Sequence, residues 1–391
     1  MKTKYILYAL ASILFFSCTE ENTRQIVNGS YGKPDAPTEI NAIPIAGGAI
    51  IKYRIPSSPD LLMVKAVYQL SNGKQREVSA SYFIDSLIIE GLIDTQPHEV
   101  KLYAISRALE VSDAVSVPFT PLESAFSKVI KSMKIIPDYS GANFSWINED
   151  EELLTFDLQA ANDNGVMMTA NVLQSDEDIM TVSVHGFDAT PRKFACNVAD
   201  KWGNESGLIY PDRGDITPMP EGRLDPKNIA VMRLSSDAQW KANNGRDVNL
   251  TDGDVTTYGR SLPEEWPPMV TLDLGKEYYL SRVVLFQWTF ETNIYYNDVK
   301  TFEIYRCITG EPSPDGNMSE WERMMTCRLV KPSGTPYGES TVYDIRAAKA
   351  GDNFDFPRDM EPVRYLRIRV TDTWGWQGIA IADLAFYGLI N

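Results

Sequence analysis

Histidine is almost absent from this chain of 391 residues, which contains only His98 and His185. Each histidine borders a run of alternating apolar and polar residues, so we expect both to be strand residues. Two isolated histidines cannot supply the H-x-H or H-E-x-x-H spacing of zinc enzymes. The motifs G-x-S-x-G, G-x-G-x-x-G and the P-loop are also missing. We therefore expect a protein that is not an enzyme.

Positive charge is scarce as well, because 37 Lys and Arg residues face 53 Asp and Glu residues and the formal net charge is −16. Binding to a phosphate backbone requires a basic surface, so nucleic acid is not an expected partner.

Helical periodicity is confined to residues 122–133, whereas short apolar runs recur between Gly, Pro, Asn and Asp. This pattern predicts an all-β fold.

A short apolar run at residues 5–16 follows Lys2 and Lys4. It is shorter than the roughly 20 residues that a transmembrane helix needs, and the order of basic, apolar and small residues is that of a secretory signal. The segment Leu-Phe-Phe-Ser-Cys that ends at Cys18 resembles a bacterial lipobox. The resemblance implies a signal peptide over residues 1–17 and a lipid on Cys18.

The residues after Cys18, Thr-Glu-Glu-Asn, resemble the surface-export signal of outer-membrane lipoproteins in Gram-negative gut bacteria. This resemblance implies a lipid-anchored protein on the outer membrane that faces the cell exterior. Residues 18–33 would then form a polar tether. The alternative is an ordinary secreted protein with a free or buried Cys18.

Cysteine is rare, since the chain beyond Cys18 has only Cys196, Cys307 and Cys327. Two alternatives stay open for the last two. They could face each other on neighbouring strands and form a disulfide, as exported proteins permit. They could also be two unpaired buried thiols.

Residues 34–121 and 122–220 each contain short apolar runs separated by turns, and each segment has the size of one β-sandwich. Residues 91–103, a Gly-Leu pair followed by a turn and a strand that ends in Tyr, resemble the late signature of fibronectin type III domains. The second segment repeats this rhythm. We expect Trp202, in its last turn, to pack on its own sandwich rather than to contact a ligand.

Aromatic residues are concentrated in residues 223–391, which hold six of the eight tryptophans. An Asp-Gly-Asp loop at 249–258, the run Val-Thr-Leu-Asp-Leu-Gly at 270–275, and the closing segments 364–368 and 381–388 follow in a fixed order. This ordered set resembles the factor V/VIII type C, or discoidin, family, which includes family-32 carbohydrate-binding modules. The resemblance implies a galactose-binding-like jelly roll after two fibronectin type III-like sandwiches.

The resemblance also implies a structural calcium ion, because family members hold one with this loop and an acidic residue near the C-terminus. Carboxylates and carbonyls on a tight Gly-containing loop are the hard oxygen ligands that Ca²⁺ prefers. The alternative is an Asp-Gly turn without a metal. The matching candidate ligands are Leu250 and Thr257, each through an oxygen atom, together with Asp252, Asp254 and Asp383.

Sugars are bound when an aromatic ring stacks on their C–H face and polar side chains bond their hydroxyls. Trp374 and Trp376 lie just before the last strand, where family members have a binding loop. Trp288, Tyr295 with the adjacent Tyr296 and Asn297, and Arg260 are expected to approach from neighbouring loops. The predicted carbohydrate-binding residues are Trp374, Trp376, Trp288, Tyr295 and Arg260. No histidine follows His185, so galactose specificity is not predicted.

Together these features favour a cell-surface glycan-binding lipoprotein of a polysaccharide-utilisation system. The alternative is a protein-binding or scaffold lipoprotein that contacts an outer-membrane transporter or a neighbouring lipoprotein. A third class is an enzyme, because jelly rolls can carry pairs of carboxylates at hydrolytic separation. No catalytic motif supports that class.

Overall fold

The computed structural model describes residues 32–289 and 294–389, in which strands predominate and form six antiparallel sheets. The predicted signal peptide and lipidated Cys18 lie outside the described residues. The three units below confirm the predicted fold class, two fibronectin type III-like sandwiches followed by a jelly roll.

The first sandwich packs a three-stranded sheet, in the order β1-β2-β5, against a four-stranded sheet in the order β4-β3-β6-β7. Alternate residues of these strands point inward, and Ile51, Val64 and Leu102 are fully buried between the sheets. The strands are β1 (Thr38–Ile45), β2 (Gly48–Arg54), β3 (Leu61–Gln69), β4 (Gln75–Ser81), β5 (Ser86–Ile89), β6 (His98–Ser106) and β7 (Val115–Phe119).

The second sandwich repeats this order strand for strand, with sheets β8-β9-β12 and β11-β10-β13-β14. Helix α1 (Ala125–Ser132) precedes it within the predicted helical stretch, and its N-cap Ser124 accepts a hydrogen bond from the Ser127 amide. The strands are β8 (Lys134–Asp138), β9 (Gly141–Ile147), β10 (Leu154–Ala161), β11 (Met167–Ser175), β12 (Ile179–Val184), β13 (Phe194–Ala199) and β14 (Glu205–Ile209).

The jelly roll packs the sheet β15-β24-β19-β22, with β17 also on β24, against the sheet β16-β18-β23-β20-β21. Its strands are β15 (Gly222–Arg223), β16 (Ala230–Val231), β17 (Gly259–Arg260), β18 (Met269–Tyr278), β19 (Leu280–Gln287), β20 (Val299–Cys307), β21 (Trp321–Arg328), β22 (Asp352–Asp355), β23 (Val363–Thr373) and β24 (Ala380–Gly388). A second helix, α2 (Val342–Ala350), follows β21 and was not expected from the sequence. The capping box of Thr341 and Asp344 begins it.

No helix in the described ranges is long and apolar enough to cross a membrane.

Trp202 lies at the junction of the two sandwiches, not on its own sandwich as expected. Its ring packs against the core of the first sandwich, under the Arg76 guanidinium at 4.1 Å. A Cβ at Gly91 would lie 2.9 Å from the Trp202 ring, so glycine is needed for this approach. The Asn204 amide also donates to the Gly91 carbonyl over 3.1 Å. The turn therefore joins two sandwiches.

The three cysteines in the described residues are unpaired. Cys307 lies opposite Trp321 in the β20–β21 ladder, whereas Cys327 lies opposite Phe302, five residues away along β20. The predicted alternative of a Cys307–Cys327 disulfide is therefore not formed, because the two side chains occupy different ends of the ladder.

The second sandwich and the jelly roll meet at His185. Its Nδ1 lies 2.8 Å from the Tyr139 carbonyl, and its Nε2 lies 2.8 Å from Asp355 Oδ1 on β22. Burial lowers the pKa of His185, but the hydrogen bond and charge of Asp355 outweigh this effect. The pKa of His185 is therefore raised above its ordinary value.

This pair predicts a pH-dependent stability. A raised folded-state pKa means that the contribution is fully present below the unfolded pKa of about 6.5 and is lost as the pH rises through the folded pKa. We expect the stability difference between wild type and His185→Gln, from urea unfolding, to shrink as the pH is raised from 6 towards 9. Asp355→Asn should remove the same pH dependence. A difference that stays constant with pH would contradict the assignment.

Candidate functional site

A surface groove of about 280 Å³ lies beside the start of β24. Its walls come from distant parts of the chain that β24 brings together, because Arg260 pairs with Ala380 and Gln287 pairs with Ile381 in the two flanking ladders. The groove is lined by Tyr258, Arg260, Trp288, Tyr296, Asn297, Asp298 and Ala380. Two of the predicted sugar-binding residues, Arg260 and Trp288, therefore meet in one site.

An aromatic pair forms one wall of the groove. Trp288 follows directly after β19, and its ring centroid lies 4.3 Å from that of Tyr258 at an interplanar angle of 33°. The Tyr258 hydroxyl donates a hydrogen bond to the Asn243 carbonyl, which fixes the ring. Both side chains are half-buried, so part of each ring remains accessible to a ligand.

Two polar groups in the groove have no hydrogen-bond partner among the described residues. The Arg260 side chain forms no hydrogen bond or ion pair there, although its charge acts on Asp298. The Asn297 Oδ1 atom is buried and also lacks a donor. Arg260 is only half-buried, so its guanidinium is accessible to a polar ligand. The unpaired Asn297 Oδ1 is a buried acceptor at the wall of the groove, and a buried acceptor without a donor costs free energy.

Asp298 holds the turn that forms the opposite wall. Its Oδ2 accepts hydrogen bonds from the Tyr295 amide at 2.7 Å and the Tyr296 amide at 3.3 Å. Burial raises the pKa of Asp298 to about 7, against the lowering effect of these hydrogen bonds and of the Arg260 charge. Asp298 is thus a structural acceptor beneath the groove.

Tyr295, predicted as a sugar-binding residue, is instead in the interior with only 1% of its surface exposed. The backbone at Tyr295 is left-handed, with a φ of 59°, so successive side chains on this turn do not point alternately inward and outward. The ring packs edge-on against Trp374, with centroids 5.2 Å apart. Tyr295 therefore cannot offer a ring face to a sugar, and the tyrosine in the groove is its neighbour Tyr296.

The two tryptophans of the last loop have different roles. The Trp374 indole N–H donates to the Val299 carbonyl over 3.1 Å, and the ring packs with Tyr295 and Ile345. Trp374 therefore supports the loop, and because the residue is only half-buried, its predicted contact with a ligand stays a prediction. Trp376 is half exposed and lies over Gly378, where a Cβ would approach its Nε1 to 2.7 Å. It stays available for binding.

Two further aromatic residues at the site were missed. Tyr258 belongs to the Asp-Gly-Asp segment, which pointed to a metal rather than to a sugar. Tyr337 stacks on Tyr296 with ring centroids 4.9 Å apart, and it comes from the loop between β21 and α2. No periodic pattern marks such a loop, so only the folded chain brings Tyr337 to the site.

The residues expected to bind calcium form a hydrogen-bonded cluster. Asp383 is buried, and its two oxygens accept from Arg223 Nη2 at 2.7 Å and from the Gly253 amide at 3.2 Å. Burial raises the pKa of Asp383, while the Gly253 bond and the Arg223 charge lower it, with a net increase. The counter-charge of Asp383 is therefore a guanidinium.

The other candidate ligands are also engaged. Thr257 Oγ1 donates to Asp252 Oδ2 at 2.8 Å, and Asp254 Oδ1 accepts from the Thr256 amide and hydroxyl. The predicted ligand atom of Leu250 is its main-chain oxygen, and its side chain is fully buried in the core. In the described part of the chain, no group of three or more His, Cys, Asp or Glu side chains is placed to hold a metal ion. This arrangement does not fit the calcium site implied by the resemblance.

Three family models match the chain, each described as a domain of unknown function. They are DUF4959 over residues 34–121, DUF5126 over residues 122–227 and DUF5000 over residues 247–388. No curated protein matches the chain significantly.

Among solved structures, the chain is similar to a SusE-like protein, with 26% identity over 68% of this chain and 98% of the other, at a TM-score of 0.43. The chain is also similar to a family 32 carbohydrate-binding module, CBM32-3, from a family 31 glycoside hydrolase of Clostridium perfringens. The two are 20% identical over 43% of this chain and 95% of that one, with a TM-score of 0.32. The family 32 module of C. perfringens NanJ, in complex with galactose, is 14% identical over 43% and 98%, with a TM-score of 0.30. All three TM-scores are below 0.5, so none of these similarities assigns a function to this chain.

The Arg223–Asp383 pair predicts stability without calcium. Arg223→Ala would leave the buried Asp383 carboxylate without its counter-charge, and because the arginine is itself partly exposed we expect the free energy of unfolding to fall by about 2 kcal/mol. The matched control is Arg54→Ala, whose pair with Glu39 is exposed on both sides and should cost less than about 1 kcal/mol. Neither EDTA nor added calcium should shift the melting temperature of the wild type. A clear increase with calcium would overturn this interpretation.

Proposed function

We propose that the protein binds glycans and that the groove beside β24 is its carbohydrate-binding site. The observation that carries the proposal is the convergence, in one groove, of the Tyr258–Trp288 pair with an unpaired guanidinium and an unpaired amide oxygen. An aromatic wall with a few oriented polar groups is what a sugar requires, since its ring has apolar C–H faces and polar edges.

Each groove residue has a distinct task in this proposal. A ring face of Trp288 stacks on the C–H face of one sugar unit, and Tyr296 bounds the unit from the other side. Arg260 donates hydrogen bonds to hydroxyl oxygens, while the half-exposed Asn297 amide forms a hydrogen bond with a further hydroxyl. The first of these contacts satisfies the Arg260 guanidinium, which lacks a partner among the described residues.

The composition of the groove supports binding rather than catalysis. Hydrolysis of a glycosidic bond generally uses two carboxyl groups that flank the bond. Asp298 is the one carboxyl group among the described lining residues, and two backbone amides already occupy one of its oxygens. Among the residues that the structure describes, the groove therefore has the parts of a binding site and no second acid or base.

We place the protein on the outer face of the outer membrane, in a polysaccharide-utilisation system. This part of the proposal rests on the lipobox-like segment at Cys18 and the acidic residues after it. The lipid would hold the N-terminus at the membrane, and the two sandwiches would lie between the anchor and the jelly roll. An outer-membrane transporter or a neighbouring lipoprotein would then receive the captured glycan.

Affinity electrophoresis tests the proposal with starch, arabinoxylan, galactomannan, pectic galactan, yeast mannan and mucin as probes. We expect at least one polysaccharide to retard the wild type. Trp288→Ala and Arg260→Ala should each weaken that binding by about tenfold or more, or roughly 1.4 kcal/mol, because each removes a direct contact.

The matched control is Tyr279→Ala, because Tyr279 is 49% exposed on the same jelly roll but lies beside Gly388, at the opposite end of β24. This variant should bind like the wild type. Equal retardation of the wild type and Trp288→Ala would contradict the assignment of the groove. Retention of an outer-membrane protein by both, with no polysaccharide bound by either, would favour the scaffold alternative.

A further inference from the structure

The groove is small compared with the aromatic surface around it. Its volume of about 280 Å³ lies at the lower limit of small-ligand sites, which span about 300–1,000 Å³. One sugar ring fills such a space. Two large aromatic side chains, Tyr337 and Trp376, flank the groove without lining it, and each is 50% exposed.

Tyr337 adjoins the groove on the side of Tyr296. The two rings are nearly parallel, with an interplanar angle of 20°. A Cβ at Gly375 would lie 1.7 Å from Tyr337 Cε2, so the ring occupies space that only glycine leaves free. The position of the Tyr337 ring is therefore fixed between Tyr296 and the loop that contains Gly375.

Trp376 adjoins the groove on the side of Arg260. It lies over Gly378, and that glycine is in turn close to the carbonyl of Ser261, the residue after Arg260. The Ser261 hydroxyl accepts a hydrogen bond from the Ile379 amide and joins this loop to the segment that carries Arg260. Exposed aromatic rings thus continue the groove in two directions.

The loop that carries Tyr337 is fixed from inside by a buried cation. Lys331 is 5% exposed, and its Nζ donates to the carbonyls of Thr335 and Pro336, both at 3.1 Å, and to that of Glu339. The segment 331–339 thus surrounds the Lys331 ammonium group with three of its own carbonyl oxygens. A ring held in this way loses little conformational freedom when it contacts a ligand, which favours affinity.

From these contacts we infer that Tyr337 and Trp376 form subsites beyond the groove and that the ligand is a chain of at least two linked sugar units. This inference rests on the proposed function of the groove. The groove takes one unit, and the next units in the chain stack on Tyr337 or Trp376. A free monosaccharide reaches only the groove and forgoes these contacts.

The test is a length series prepared by partial acid hydrolysis of the polysaccharide that retards the wild type, from the monosaccharide to the hexamer. Dissociation constants are measured by NMR titration. We expect the wild type to bind the trimer about tenfold or more tightly than the monosaccharide. Tyr337→Ala should leave monosaccharide binding unchanged and remove most of this gain.

Gly375→Ala provides a second variant that keeps every aromatic residue. Its methyl group would displace the Tyr337 ring, so it should also reduce the gain with chain length. Tyr279→Ala, with matched exposure, should preserve the gain. Melting temperatures of all variants separate lost contacts from lost folding.

A wild type that binds monosaccharide and hexamer equally well would overturn the inference. Equal loss of monosaccharide and trimer affinity in Tyr337→Ala would do so as well, because the tyrosine would then act on the groove itself. These results differ from failure of the proposed function, in which Trp288→Ala binds every member of the series like the wild type.

Discussion

The site depends on the main-chain pairing of β24, the last strand of the jelly roll. One edge of β24 pairs with β19, while the other edge is shared by β15 near Gly388 and by β17 near Ala380. The strand therefore joins the first, middle and last parts of the jelly roll in one sheet. Every residue of β24 except Tyr387 is buried, so apolar packing and backbone hydrogen bonds hold it together.

Two consequences follow from this pairing. At the start of β24, Arg260 and the end of β19 are brought to either side of one groove, where their side chains define the candidate site. Between β15 and β17, the same strand carries Asp383, whose buried carboxylate contacts Arg223 and the Gly253 amide. The partly exposed Arg223 guanidinium therefore pairs with the carboxylate that holds the Asp-Gly-Asp loop, where the family resemblance implied calcium.

The strands were largely predictable because each sandwich face imposes a period of two, and the runs around Ile51, Val64 and Phe156 show it clearly. β1 and β4 carry little of this signal, because their side chains are mostly exposed and the alternation is weak. Of the residues predicted from the sequence, Arg260 and Trp288 line the groove, whereas the choice between the neighbours Tyr295 and Tyr296 was not predictable. The left-handed backbone at Tyr295 turns that side chain into the interior and leaves Tyr296 in the groove. The contact between Arg223 and Asp383 joins residues 160 positions apart, so no local sequence pattern predicts it.

The central claim is that one aromatic surface on the jelly roll contacts glycan while the sandwiches do not. Hydroxyl-radical footprinting of the full chain, with and without the polysaccharide that retards it, tests this claim most directly because oxidation reports the exposure of individual aromatic side chains. The account predicts protection of Trp288, Tyr296, Tyr337 and Trp376, with no change at Phe83 of the first sandwich or at Tyr279. Protection confined to the sandwiches, or unchanged oxidation of the four groove and flanking residues, would contradict it.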